Sequence, residues 1–183
     1  MVAVIVVAVI LVIIAIAIII LYNKLVKMRN MVDNAWAQIE VQLQRRLDLI
    51  PNLVETVKGY VTHEAGTLTA VTEARSAVMN AKTPEEKIEA DFTLSGMVKS
   101  LLAISENYPN LRANENFMKL QSELANTEDK ISYMRQSFND TIMKYNTGIQ
   151  TFPAVLVAGM LGFTARKSFD AHADAAMPPQ VQF

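Results

Sequence analysis

Cysteine is absent from this 183-residue sequence, and histidine, glycine and proline are scarce, with two, six and six residues. Without cysteine, the chain can form neither a disulfide framework nor a lipid-modified cysteine anchor. His63-Glu64 begins like a zinc-protease motif, but Thr67 stands where the second histidine is required. There is no G-x-S-x-G motif and no phosphate-binding glycine loop. We therefore predict a protein that is not an enzyme, with no cofactor and no bound metal.

Excess charge of either sign is also missing. The formal net charge is −1, and the calculated pI is about 6.1. A nucleic-acid-binding domain would carry a strongly basic patch or stripe. The sequence therefore predicts no nucleic-acid partner.

One long apolar run is present, from Val2 to Leu21, and it contains no charged residue, glycine or proline. About 20 helical residues at roughly 1.5 Å each match the hydrocarbon core of a bilayer, about 30 Å thick. The run lacks the polar face of a helix that packs in a soluble core. We therefore predict a transmembrane anchor over residues 1–22, with the lipid bilayer as a partner.

A cleaved signal peptide is the alternative interpretation of this run, since Ala15 and Ala17 form a small-x-small pattern. However, no basic segment precedes the run, and it is longer than the apolar part of a signal peptide, about 7 to 15 residues. The uncleaved anchor is the favoured interpretation.

The cations nearest to the anchor predict its orientation. Lys24, Lys27 and Arg29 follow the apolar run, and no Lys or Arg precedes it. Positive charge is retained on the cytoplasmic side. The predicted location is the bacterial cytoplasmic (inner) membrane, crossed once, with the N-terminus outside and the C-terminal bundle in the cytoplasm.

Apolar residues after the anchor recur at steps of three and four, which is typical of one face of a helix. They are Leu25, Met28, Val32, Trp36, Ile39, Leu43, Leu47 and Ile50. The spacing predicts that the anchor continues without a break into a helix that is kinked at Pro51 and ends near Asn80. A second helix is predicted to begin at the capping box Thr83–Glu86 and to stop before Pro109, and a third is predicted to end at Thr151-Phe152-Pro153.

Strand signals are absent, and the connections are short, so neighbouring helices should be antiparallel. The predicted fold class is all-α: an N-terminal transmembrane helix continuous with an elongated antiparallel helical bundle. The predicted domains are the anchor, a helical bundle over residues 23–167, and a flexible C-terminal tail over residues 168–183.

A row of neutral polar residues follows the anchor at every fourth position: Asn30, Asn34, Gln38 and Gln42. A face that is merely solvated more often carries Lys and Glu. Amide side chains both donate and accept hydrogen bonds, which suits a packed interface. This row is the candidate interface between subunits of a homo-oligomer, with packing inside one chain or simple solvent exposure as alternatives.

A second polar group surrounds the predicted kink: Arg45, Arg46, Asp48, Pro51 and Asn52. Asp48 lies two or three residues from the arginines, which is not the best spacing for pairing within one helix. We therefore expect these charged side chains to pair with another helix, where Arg–carboxylate bonds would fix the crossing. Docking of a partner or of anionic lipid is the alternative.

The apolar segment 152–163 is too short to span a membrane. It is followed by Arg166 and Lys167. The favoured interpretation is a cap on the core of the bundle. The alternative is a segment on the membrane surface, with its apolar side toward lipid and its cations toward phosphates.

The sequence resembles the LemA family along essentially its whole length. The matching stretches include Arg29-Asn30, residues 35–39, residues 42–54, Val57-Lys58-Gly59-Tyr60, residues 72–75, Tyr108-Pro109, residues 113–117 and Phe152-Pro153. The resemblance implies a bacterial membrane protein with an N-terminal transmembrane helix, an extracytoplasmic N-terminus and a helical body. It also implies that residues 45–52 form the kink typical of the family. The family supplies no catalytic residues that could be transferred.

The functional prediction is a non-enzymatic, single-pass membrane protein that acts as a self-associating scaffold. It depends on the amide row, the unbroken anchor helix and the missing catalytic groups. The alternative is a membrane-anchored adaptor that docks a specific partner, such as a membrane protease or an envelope component.

Overall fold

A computed structural model describes residues 1–61 and 63–169 of the chain. These residues form five α-helices and contain no β-strand. The helices are α1 (Val2–Lys58), α2 (Ala65–Asn80), α3 (Pro84–Ile104), α4 (Pro109–Arg112) and α5 (Glu115–Gln150). Short 3-10 turns follow α3 and α5, at Ser105–Asn107 and Ala154–Leu156. The predicted all-α class is confirmed.

Helix α1 carries the predicted anchor and continues past it without interruption, as the sequence predicts. Every side chain from residue 1 to residue 20 is exposed. Within the described residues, α1 is the one helix long and apolar enough to cross a membrane. Val2 begins this helix and Leu21 lies within it.

The predicted end of the first helix near Asn80 is wrong. Helix α1 continues through Pro51 but ends at Lys58, and the separate helix α2 begins at Ala65. The backbone N–H groups of Tyr60 and Val61 both bond to the carbonyl of Val57, which closes the last turn. Gly59 follows the helix directly, and glycine is costly in a helix interior. The apolar pattern continues across this break, so its period alone could not reveal the break.

Helix α3 begins at the predicted capping box. Thr83 Oγ1 accepts from the N–H of Glu86 at 3.2 Å, and Glu86 Oε2 accepts from the N–H of Thr83 at 3.2 Å. Pro84 occupies the first turn of the helix, where the missing N–H costs nothing. The predicted stops of the second and third helices, before Pro109 and at Thr151, are confirmed as well.

The described chain divides into two compact units. The first unit comprises Met1–Ala35 and the described residues from Gln136 onward, and the second is Trp36–Arg135. The core of the second unit is built from fully buried residues of several helices: Ile50, Leu53, Val57, Val71, Leu94, Leu101, Leu111 and Phe117. The core of the first unit contains Leu25, Val32, Phe138, Ile142, Tyr145, Ile149, Ala154, Ala158 and Phe163.

In the first unit, residues 164–169 form a strap that lies along α5. The Asn146 side chain donates to the carbonyl of Arg166 at 2.8 Å and accepts from its N–H at 2.9 Å. Asn139 makes the same pair of bonds with Phe169, at 2.8 and 2.9 Å. Seven residues of helix and three residues of extended chain both span about 10 Å. The two asparagines, seven residues apart on α5, therefore have the same spacing as Arg166 and Phe169, which are three residues apart in the extended strap.

The strap includes the first two residues of the predicted flexible tail. The Phe169 ring stacks on Phe138 with a centroid distance of 4.8 Å. The remainder of the predicted tail, residues 170–183, lies outside the described residues.

Candidate functional site

The second unit contains a group of charged and polar side chains, here called the charged crossing: Arg46, Asp91 and Ser95, which are buried, and Glu128, which is partly exposed. Arg46 Nη1 lies 3.0 Å from Asp91 Oδ1 and 2.6 Å from Glu128 Oε2. Ser95 Oγ donates to the same oxygen of Glu128 at 3.0 Å. The crossing thus joins α1, α3 and α5 through one guanidinium.

Helical register explains why these charges are buried. Arg46 is 3% exposed and lies beside Leu43, Leu47 and Ile50 on the buried side of α1. Asp91 is 2% exposed and lies three residues from both Ile88 and Leu94, on the buried side of α3. Residues three and four apart share one face of a helix, so packing the apolar side chains necessarily buries the charges between them.

The Asp91 carboxyl has a pKa above its ordinary value of 3.8. Burial is the main cause, because removal from water penalises the charged form. Arg46 opposes this by favouring the carboxylate, whereas the nearby charge of Glu128 raises the pKa further. Arg135 is a second cation that lowers the pKa of Asp91, so the desolvation of this carboxyl is opposed by two cations.

The arginine of the crossing has one polar atom without a counterpart. Arg46 Nε is buried and has no hydrogen-bond partner among the described residues. A cleft of about 360 Å³ opens beside the crossing and is lined by Arg46, Ser95 and Glu128 together with Lys99, Gln121 and apolar neighbours. The two ion pairs and the Ser95 hydrogen bond connect side chains of three helices, so the arrangement fixes how these helices cross.

Arg45 and Asp48, the other predicted charges near the kink, behave differently from Arg46. Arg45 Nη2 lies 2.5 Å from Glu123 Oε2 of α5, at the solvent-exposed surface. Asp48 accepts a hydrogen bond from Gln44 Nε2 at 2.8 Å, within α1. The structure therefore brings both arginines to other helices, whereas Asp48 stays paired with its own helix.

Pro51 lies inside α1 and has no N–H to donate to the carbonyl of Leu47, one turn earlier. Arg75 of α2 supplies the missing donor, because its Nε bonds to the oxygen of Leu47 at 2.9 Å. Asn52 is exposed, and its carbonyl accepts from Thr56 Oγ1 at 2.7 Å. The carbonyl of Leu47, which Pro51 leaves without a backbone donor, thus accepts its hydrogen bond from a side chain of another helix.

The amide row lies along α1. In the first unit, Asn30 and Asn34 are exposed. In the second unit, Gln38 is exposed and Gln42 is half-buried, and Gln42 Oε1 is buried with no hydrogen-bond partner among the described residues. The exposed members of the row are thus free of the core of either unit.

Sequence reasoning missed the acids of the crossing and the role of Arg75. One signal was present in the sequence, since Asp91 interrupts an otherwise apolar face of its helix between Ile88 and Leu94. Arg75 likewise lies between the buried residues Ala74 and Val78 of α2. A charged residue at a core position is a signal of pairing, because charges are almost never fully buried alone.

No metal centre is found in the described residues, since no group of three or more His, Cys, Asp or Glu side chains there is placed to hold an ion. His63, the residue of the incomplete zinc motif, is exposed.

The chain is similar to a known protein family and to several known bacterial proteins. A family model described as the LemA family matches residues 35–183. Protein LemA of Metamycoplasma hominis is 26% identical over 76% of this chain and 64% of its own length. Magnetosome protein MamQ of Magnetospirillum gryphiswaldense is 23% identical over 78% of this chain and 62% of its own length. Magnetosome protein MamQ 2 of Paramagnetospirillum magneticum is 23% identical over 81% of this chain and 64% of its own length.

The chain spans a little less than two thirds of the length of these relatives. Their names denote a family and a cellular structure, and none denotes an enzymatic reaction.

Proposed function

The chain belongs to the LemA family, and from this premise we propose that it is a single-pass protein of the bacterial cytoplasmic membrane that acts as a self-associating scaffold. The N-terminal apolar helix and the membership of the LemA family indicate a membrane protein. Self-association, the scaffold role and a non-enzymatic function are the proposal. Two of the relatives are named as magnetosome proteins.

The observation that carries the proposal is an exposed seam on α1: Met31, Asn34, Gln38 and Val41. Met31 and Val41 are large apolar side chains that remain exposed, and the two amides lie between them in the sequence. The steps of three, four and three residues are those of a heptad seam. In coiled coils, a polar residue within such a seam fixes register and oligomeric state. A second copy of the same helix would cover the apolar residues and pair the amides.

The first experiment measures the oligomeric state of the full-length protein in mild detergent by mass photometry. We expect a defined oligomer. Gln38→Lys with Val41→Lys should shift the species toward monomer, because like charges would then face each other across the seam. A wild-type protein that is strictly monomeric would contradict the proposal.

Because the protein contains no cysteine, single-cysteine variants give an unambiguous second test in native membranes. Asn34→Cys and Gln38→Cys should each form a disulfide-linked dimer under mild oxidation. Ser122→Cys, an exposed position on α5, is the matched control and should remain uncrosslinked. Equal crosslinking at all three positions would indicate random collision and count against the seam.

The proposed orientation places the N-terminus outside and the C-terminal helices in the cytoplasm, on the side of Lys24, Lys27 and Arg29. A Ser168→Cys variant tests it with a membrane-impermeant thiol reagent in intact cells. Labelling should require lysis of the cells, and labelling of intact cells would reverse the assignment.

An adaptor that docks one partner is the second candidate, favoured by the half-exposed guanidinium of Arg45 at its ion pair with Glu123. A pull-down that compares Arg45→Glu with wild type separates the two functions. Loss of a captured partner with unchanged self-association supports the adaptor, whereas an unchanged set of captured proteins supports the scaffold.

A further inference from the structure

An apolar connection, residues 151–162, joins α5 to the strap in the first unit. Its buried side chains include Ala154 and Ala158, which pack into the core. Four large apolar side chains point away from that core: Phe152, Val155, Leu156 and Met160. Phe152 is 80% exposed and Met160 is 88% exposed. Outside the anchor, no other stretch of ten described residues exposes as many large apolar side chains.

The direction of the strap shows at which end of the first unit this connection lies. Directly before the strap, the Phe163 ring meets Tyr22 edge to face, with a centroid distance of 5.7 Å. Three residues later, Arg166 pairs with Asp33 at 3.5 Å. The strap therefore runs along α1 away from the anchor.

Helix α5 runs in the opposite direction to the strap, because Asn146 holds Arg166 whereas the earlier Asn139 holds the later Phe169. It therefore runs toward the anchor. The connection between α5 and the strap must then lie at the anchor end of the unit, beside the first residues after the apolar run.

The depth of the connection follows from the close contact of α5 with α1. A methyl group at Gly148 would lie 2.7 Å from Met28 Cε, so this turn of α5 is level with Met28. Leu21, the last residue of the apolar run, is about 10 Å from Met28 along α1. Helix α5 continues for about 3 Å beyond Gly148. The end of α5 is therefore about 7 Å from the level of Leu21. This distance matches the polar interfacial layer of a bilayer, about 5 to 8 Å thick on each side.

The charges around the connection suit the surface of a bilayer. No Asp or Glu occurs from residue 151 to residue 169. Lys24 and Lys27 are exposed, and basic groups beside a membrane are attracted to anionic headgroups. Tyr22 stands where interfacial aromatic residues are enriched.

We propose that the connection is a second membrane contact, which inserts Phe152, Val155, Leu156 and Met160 among the headgroups of the bilayer that α1 spans. The inference rests on the protein being anchored in a membrane and is independent of self-association. Its consequence is that the first unit is held against the bilayer at two points, so α1 cannot rotate freely about its own axis.

The test measures the membrane depth of a probe at two exposed methionines of the same unit. Full-length Met160→Cys and Met143→Cys proteins are labelled with an environment-sensitive fluorophore and reconstituted in vesicles of phosphatidylcholine and phosphatidylglycerol. Met143 lies on α5, farther from the anchor than Gly148, and is the matched control. The probe at position 160 should emit at shorter wavelength and be quenched by nitroxide-labelled lipid several-fold more than the probe at position 143.

Two results would overturn the proposal. Equal quenching at the two positions would place the connection in water. A short-wavelength emission at position 160 without lipid quenching would show that protein, such as a second copy, covers the patch. Replacing Phe152 and Leu156 by Gln in the Met160→Cys protein should reduce lipid quenching while leaving the helical circular dichroism signal unchanged, because both side chains are exposed. Undiminished quenching in that variant would also contradict insertion by these side chains.

Discussion

The two units differ in the polar interactions that hold them together. In the second unit, Arg46 is buried between the carboxylates of Asp91 and Glu128. In the first unit, the side chains of Asn139 and Asn146 hold the backbone of the strap through four neutral hydrogen bonds. One unit therefore depends on charge balance in its interior, whereas the other depends on amides that do not titrate.

This difference shows how the two kinds of interaction respond to change. Removing one member of a buried ion pair leaves an uncompensated charge, which is far more costly than the net value of the pair. Removing a neutral amide leaves backbone groups that water can partly satisfy. The four predictions below use this contrast, from the largest expected effect to the smallest.

The largest effect is expected for Arg46→Met. The substitution leaves Asp91 and Glu128 without their cation, and we expect the free energy of unfolding to fall by about 3 to 5 kcal/mol. Denaturant unfolding in detergent, followed by helical circular dichroism, measures the loss. Arg45→Met is the matched control, because its pair with Glu123 is solvent-exposed and should contribute less than about 1 kcal/mol.

A compensated variant sharpens this prediction. Arg46→Met combined with Asp91→Leu and Glu128→Met removes all three charges at once. It should recover much of the lost stability, since well-packed apolar residues often replace a buried ion group without loss. A triple variant no more stable than Arg46→Met would show that the cost comes from packing rather than from orphaned charge.

Arg75→Met should have the next largest effect. Its Nε donates to the carbonyl of Leu47 that Pro51 leaves without a donor. A hydrogen bond to a charged group contributes about 1.5 to 3 kcal/mol, and we expect a loss of that size in the same unfolding assay. Arg112→Met, at an exposed position, is the control. Equal losses of stability for the two variants would show that the hydrogen bond from Arg75 to the carbonyl of Leu47 does not stabilise the protein.

Asn146→Ala tests the neutral clamp of the first unit. Two hydrogen bonds to Arg166 are lost at an exposed site, and we expect a loss of about 0.5 to 1.5 kcal/mol. Hydrogen exchange gives the local measurement: the amides of Arg166 and Phe169 should exchange faster than in wild type. The neighbouring Thr147→Ala should leave these amides unchanged. Faster exchange throughout α5 would instead indicate general unfolding.

The smallest expected effect is a dependence of stability on pH, which should appear in the second unit and not in the strap of the first unit. The pKa of Asp91 is raised in the folded protein, so the folded state binds more protons than the unfolded state as the pH falls through that raised value. The carboxyl therefore adds stability on acidification and subtracts it as the pH rises. We expect wild type to gain stability relative to Asp91→Asn as the pH falls toward 3.8, the ordinary value.

The control for the pH series is Asp48→Asn, which should keep the dependence that Asp91 confers. Opening of the strap, followed by exchange of the Phe169 amide, should lack this dependence because its bonds to Asn139 are neutral. If the stability of wild type and of Asp91→Asn changed equally with pH, Asp91 would not be the source of the pH dependence.

Much of the fold could be predicted because its signals are local. The capping box at Thr83 and Glu86 is satisfied within four residues, and Pro153 lies three residues beyond the end of α5 at Gln150, where its ring disfavours continuation of the helix. The end of α1 at Lys58 was less predictable. Both sides of that break carry the same apolar spacing, so only the preference of Gly59 for a non-helical position distinguished them.

The candidate site could be predicted only in part. The sequence marked Arg45, Arg46, Asp48 and Pro51 as a group, but it could not assign their partners. Asp91 and Glu128 lie 45 and 82 positions away from Arg46 in the sequence, and Arg75 lies 28 positions away from Leu47. Which of many carboxylates meets a given arginine depends on how the helices pack, and no spacing along the chain contains that information.

The sequence by itself determined the apolar anchor, the all-α class and most helix ends, because each depends on residues within a few turns of one another. Only the tertiary structure decided the ions buried around Arg46, the donor that replaces the N–H of Pro51, and the side of the apolar connection that faces away from the core. Each of these depends on residues that are distant in the sequence and meet only when helices pack, and burial then sets their energies.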